Sequence, residues 1–154
     1  MRSAVMLALV GVFLVGACGG GEDGASDTSA ASTTEQGGEP VVIHTSMIIA
    51  ATEGAEPIAT GEVLEGSTLG GSPFCVGGTI LDSHASLDPA MEPYGLVDRT
   101  ITCPDGTVRV GFTPPTGSWT IVSGTGAFEG LRGSGEMEVK DEPGHETFTG
   151  TVTR

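Results

Sequence analysis

Along most of this chain apolar and polar residues alternate at every second position, in short runs interrupted by Gly, Pro and Asp. Alternation of period two places successive side chains on opposite faces of an extended backbone, so each run predicts a strand with one buried face. The runs are Val41 to Ala50, Ile58 to Leu64, Cys75 to Leu81 (extending as far as Leu87), Leu96 to Cys103, Val108 to Phe112, Ser118 to Ser123, Met137 to Val139 and Phe148 to Val152. Between the fourth and fifth, Cys103-Pro104-Asp105-Gly106-Thr107 reads as a tight hairpin, because Pro presets the first turn position and Gly accepts a positive φ. Val108, Val110 and Phe112 share one face, as do Trp119 and Ile121. Met137 and Val139 are expected inward against Glu136, Glu138 and Lys140, and Phe148, Gly150 and Val152 oppose Thr147, Thr149, Thr151 and Thr153. No 3.6-residue apolar stripe of useful length competes with this pattern after residue 18.

Evenly spaced short strands predict an all-β sandwich or barrel. An eight-stranded antiparallel barrel is the expected fold, since closure removes the exposed edges that invite aggregation. A barrel of that size holds packed side chains or one small ligand. Val108, Val110, Phe112, Trp119, Ile121 and Phe148 are the residues expected to line such a cavity.

The N-terminus follows different rules. Met1-Arg2 leads into an apolar run from Ala4 to Val15, and small residues precede Cys18. This is the layout of a cleavable export signal, and the run is shorter than the ~20 residues that span a bilayer as a helix. Val15-Gly16-Ala17-Cys18 resembles the bacterial lipobox, which implies acylation of the Cys18 thiol and cleavage just before it. Residues 1–17 are therefore expected to be a lipoprotein signal peptide. Residues 18–39 follow as a lipidated, disordered tether whose stretch after Cys18 holds nothing apolar larger than Ala, and residues 40–154 form the barrel domain. As a flexible coil the tether would span roughly 25 Å. The expected location is the extracytoplasmic face of the bacterial cell membrane, with the bilayer held through Cys18.

Charge and cysteine content narrow the chemistry. The formal net charge is −14, and loss of Arg2 with the leader makes it one unit more negative. Nucleic-acid binding needs clustered Lys and Arg, so it is excluded. With Cys18 acylated, Cys75 and Cys103 remain as one pair, and in an exported domain two cysteines form a disulfide. The loop is long enough for a gain of about 3–4 kcal/mol in the chain-entropy model. Neither cysteine has a histidine at short spacing, which makes a poor zinc site.

The most distinctive stretch is Gly117 to Gly135, GSWTIVSGTGAFEGLRGSG. Gly124, Gly126 and Gly130 have the wrong spacing for a phosphate loop, and no helix follows to receive an anion. Gly124, Gly126, Gly130, Gly133 and Gly135 instead predict a strand-to-strand corner, pinned to the core by Phe128 and Leu131. This run, followed by a short strand and TFTGTV, resembles the C-terminal half of the dirigent and allene oxide cyclase-like barrels. Small secreted actinobacterial proteins share it, and the upstream TCPDGT is similar to those bacterial members. The resemblance covers about residues 58–154 and implies the same eight-stranded barrel and a Cys75–Cys103 pair. The plant members guide cyclisation or radical coupling in an apolar cavity. The match lies in a structural corner, so no functional residue carries over.

Few residues suggest catalysis. His44, His84 and His145 are scattered, without metal-ligand spacing. Asp82, Ser83 and His84 are adjacent, but neighbours on a strand point to opposite faces, so they do not read as a triad. Glu62, Asp82 and Asp98 are charged strand residues expected mostly in solvent. No catalytic residue, metal or cofactor is expected. Three functions fit: a non-enzymatic barrel that binds a small apolar ligand or a protein partner, a cyclase- or isomerase-like enzyme acting by confinement, and a structural or adhesive envelope protein. The first is the expectation, and the oligomeric state stays open.

Overall fold

A computed structural model describes residues 37–88, 90–114, 117–140 and 144–154. The leader at 1–17, Cys18 and the tether up to residue 36 lie outside the described residues. The described residues form ten strands: β1 (Glu39–Ile49), β2 (Ala59–Val63), β3 (Thr68–Leu69), β4 (Ser72–Pro73), β5 (Thr79–His84), β6 (Val97–Cys103), β7 (Gly106–Phe112), β8 (Ser118–Gly124), β9 (Arg132–Val139) and β10 (His145–Thr153). Eight of them make a closed antiparallel barrel in the order β1-β2-β5-β6-β7-β8-β9-β10. It closes where β10 returns to β1, from Glu39 opposite Val152 to Ser46 opposite His145. The short β3–β4 hairpin lies against β1 at Val41 and Val42.

The pairing registers sort the strand ends into two ends of the barrel. Ile49, Ala59, His84, Val97, Phe112 and Val139 lie towards one, here the distal end. Glu39, Cys103, Gly106, Arg132 and Thr153 lie towards the other, the entry end, where the described chain begins.

Inside, alternation delivers the expected core. Val41, Ile43, Ile101, Val108, Val110, Phe112, Trp119, Ile121, Phe148 and Val152 are all buried. Phe148 meets Phe112 and Trp119 edge-on, with centroids 5.5 Å and 6.4 Å apart, which suits the ring quadrupoles. The Trp119 indole N–H donates to the Thr149 carbonyl at 3.0 Å, so this deep side chain leaves no polar atom stranded. Two residues, Pro104 and Asp105, make the β6–β7 hairpin loop, with Cys103 opposite Gly106. Cys75 and Cys103 are joined by a disulfide.

Three expectations need correction. The third strand starts at Thr79 rather than Cys75, because Cys75 and Gly77 both adopt positive φ and turn the chain. It ends at His84, and residues 85–87 form a single 3-10 turn. Val139 has the parity of the buried Met137 yet is 44% exposed, since it ends β9 at the open distal mouth. Thr147, on the outward parity of β10, is buried with its hydroxyl 3.1 Å from the His44 ring nitrogen.

Of the five glycines expected at the corner, Gly126 and Gly130 lie in the connection between β8 and β9, whereas Gly124 ends β8 and Gly133 and Gly135 lie within β9, paired with β10. Gly126 and Gly130 have positive φ, the backbone requirement that favours glycine. At Gly124 and Gly135 a Cβ would meet a backbone carbonyl at 2.0 Å and 1.9 Å, and at Gly133 it would strike Val152. Leu131 is buried beneath the corner, and Phe128 packs edge-on against Phe74 at 5.7 Å.

Candidate functional site

Three charged residues occupy positions that strand alternation assigns to the interior. Asp82 follows Ile80 on β5, Arg99 lies between Val97 and Ile101 on β6, and Glu146 precedes Phe148 on β10. Arg99 is only 1% exposed. Its Nε and Nη2 donate to the two Asp82 carboxylate oxygens, each at 2.7 Å, in a bidentate pair. Its Nη1 reaches across the lumen to Glu146 Oε2 at 2.6 Å. Thr45, fully buried on β1, donates its hydroxyl to the same Glu146 oxygen at 3.2 Å. The guanidinium carbon also lies 4.7 Å from the Phe112 ring centre and 5.0 Å from that of Phe148, a cation–π arrangement.

Burial pushes the Asp82 carboxyl above its usual value, although the hydrogen bonds and charge of Arg99 pull the other way. Burial works against a charged Arg99, but Asp82 and then Glu146 outweigh it, so its pKa rises and it stays cationic. One cation thus serves two carboxylates, and the partly exposed Glu146 connects the cluster to solvent. Among the described residues no buried side-chain polar atom lacks a partner. The arrangement ties β5, β6 and β10 together across the lumen, and each charged group is already held by another.

Five of the six residues expected to line a cavity, Val108, Val110, Trp119, Ile121 and Phe148, do so, and the sixth, Phe112, is buried against Phe148 beside them. Together with Arg99 they fill the interior. The remaining cavity is about 10 Å³, roughly room for one water molecule. A larger cleft of about 730 Å³ opens at the entry end beside the disulfide. Its apolar floor of Phe74, Leu131 and Val152 is already covered by the chain's own packing, and its edges carry Glu39, Asp105 and Arg154.

The exposed apolar surface is concentrated elsewhere. Ile48 and Ile49 are 75% and 73% exposed, Leu87 66% and Leu96 67%. Ile48 and Ile49 end β1, Leu87 follows β5 and Leu96 precedes β6, so these four belong to the distal ends of the consecutive strands β1, β2, β5 and β6, while Val139 ends β9 farther round, beyond β10. Leu81, half-exposed, extends this surface down the outer wall, in one row with Thr60 and Ile48. Scattered single apolar residues are ordinary on a protein surface, but a contiguous set is a signature of contact with another molecule.

Other residues weighed from the sequence lie apart from the rim or are engaged. Glu62 is exposed on the wall, while Asp98 lies outside the barrel and pairs with Arg109. His84 approaches Glu56 at 3.8 Å. Among the described residues no group of three His, Cys, Asp or Glu could hold a metal ion. No family model, no curated protein and no solved structure matches this chain. The likeness to dirigent and allene oxide cyclase-like barrels therefore rests on the glycine-rich segment quoted above.

Sequence reasoning missed Arg99 and assigned Asp82 to solvent. The signal was present in the parity. Arg99, Asp82 and Glu146 each occupy the apolar phase of their strands, and three charges of mixed sign in core phase can neutralise one another.

Proposed function

We propose that this chain is an extracytoplasmic lipoprotein whose barrel is a non-enzymatic binding module, holding a protein partner on its distal rim. The filled interior is the observation that carries this reading. With about 10 Å³ left inside, the interior favours the partner half of the expectation over the ligand half, and over a confinement enzyme, which would need that same space beside Arg99. The partner half needs only surface, and the distal rim offers it. The lipobox-like Cys18 would supply the anchor, and a polar tether would let the domain reach for a membrane-bound or periplasmic partner.

Two labels test this in cells. Radiolabelled fatty acid should enter the wild-type chain and not the Cys18→Ala variant. A photo-crosslinking residue at position 96 should give one discrete heavier species that is missing when the same residue replaces Val76, exposed away from the rim. Failure to label would remove the anchor from the reading. Only uncrosslinked chain from position 96 would remove the rim partner.

A further inference from the structure

The rim has an electrostatic character as well as an apolar one. Glu53 and Glu56 lie in the β1–β2 loop, Asp88 follows the turn after β5, and Glu138 is near the end of β9. The cations close to them are already engaged: Lys140 with Glu138, and Arg109 with both Asp88 and Asp98. Glu53 has no ion-pair partner among the described residues. Asp88 and Glu138 are in turn neutralised by these cations, so the acidic groups left to a partner are Glu53 and Glu56, in the loop that follows the exposed Ile48 and Ile49, on a chain whose formal net charge is −14.

That combination discriminates among occupants. A second copy would bring an equally acidic rim against this one, and like charges brought together at an interface are costly. An anionic bilayer surface would be repelled for the same reason. An acidic protein would satisfy the apolar residues and clash with the carboxylates. We infer that the distal rim docks a cationic amphipathic segment of a partner protein, with its apolar side on the Ile49–Leu96 surface and its Lys or Arg residues over Glu53 and Glu56. The inference rests on the reading of the rim as the binding surface and adds the chemistry of what binds there. Charge complementarity of this kind steers encounter and sets specificity, while the apolar contact supplies affinity.

The test uses the mature chain carrying Cys18→Ser, so that it is lipid-free, made in an oxidising compartment. The probes are a fluorescent amphipathic Leu/Lys helical peptide, its Leu/Glu counterpart and phosphatidylglycerol vesicles, at physiological ionic strength. Self-association is followed by sedimentation equilibrium. The Leu/Lys peptide should bind and the Leu/Glu peptide should not. Ile49→Ser with Leu96→Ser should weaken binding about ten-fold or more, as loss of a central apolar contact does. Glu53→Gln with Glu56→Gln should weaken it to a smaller degree and flatten its salt dependence, while Val76→Ser should leave it unchanged. These sites are solvent-exposed, and unchanged thermal melts would verify that each variant folds. If both peptides bind equally and both lose affinity on the Ser substitutions, the rim reading stands and the cationic partner is wrong. If neither pair of substitutions matters, both fall. Rim-dependent dimers or vesicle binding would replace the partner with a second copy or a bilayer.

Discussion

Arg99 is the residue on which the interior turns. A guanidinium taken out of water is tolerated only when hydrogen-bonded and neutralised, and here Asp82 and Glu146 do both while two aromatic rings pack against it. Removing it would leave two carboxylates facing each other in an apolar lumen. Arg99→Met should therefore lower stability by about 3–5 kcal/mol in urea unfolding. Arg99→Met combined with Asp82→Leu should recover most of that loss, because Glu146 can turn towards solvent and apolar side chains can replace a buried pair at little cost. A neutral single variant would show that the cluster does not brace the barrel. Alternation on β6 placed this position inward, but charge argued for solvent when each strand was read by itself. Only pairing of β5 with β6 and closure across to β10 brings the compensating groups within reach.

At the scale of elements, all eight barrel strands were legible, because hydrophobic period and turn residues agree along the chain. The ends were less so. Cys75 reads as strand by composition, yet its positive φ and the following Gly77 make a turn. Val139 reads as inward by parity, yet at a barrel mouth parity no longer means burial. The Thr- and Gly-rich strands also leave register open to sequence reasoning, since a one-residue slip exchanges similar side chains. The glycine corner shows two different reasons for glycine. At Gly130 a Cβ would meet nothing within 4 Å, so the positive φ of 76° is the main obstacle. At Gly124 the obstacle is the Phe128 carbonyl at 2.0 Å from the would-be Cβ. Gly130→Ala should cost about 1–2 kcal/mol, the penalty of left-handed backbone for an L side chain. Gly124→Ala should cost about 3 kcal/mol or more, since backbone must move. Equal losses in parallel urea titrations would mean that the corner yields where the packing says it cannot.

For the whole molecule, closure and filling explain one another. The ring of eight strands has no edge to offer a partner strand, the two-residue β4 of the appended hairpin being the edge that is left, and the filled lumen has no space to offer a ligand. What the fold leaves available is its ends, and their chemistry differs. The entry end combines the chain's point of arrival, the disulfide and a cleft with a covered apolar floor. The distal end carries exposed isoleucines and leucines beside the loop that holds Glu53 and Glu56. None of this asymmetry was visible in composition, because Ile48, Ile49, Leu87 and Leu96 read as ordinary strand or loop residues until the registers bring them to one rim.

Native mass spectrometry on residues 37–154, made in an oxidising compartment and purified gently, tests the filled interior most directly. The account predicts the bare polypeptide mass, lighter by two hydrogens for the Cys75–Cys103 bond. An adduct of a few hundred daltons that is lost on denaturation would contradict it, and would return function to the inside of the barrel.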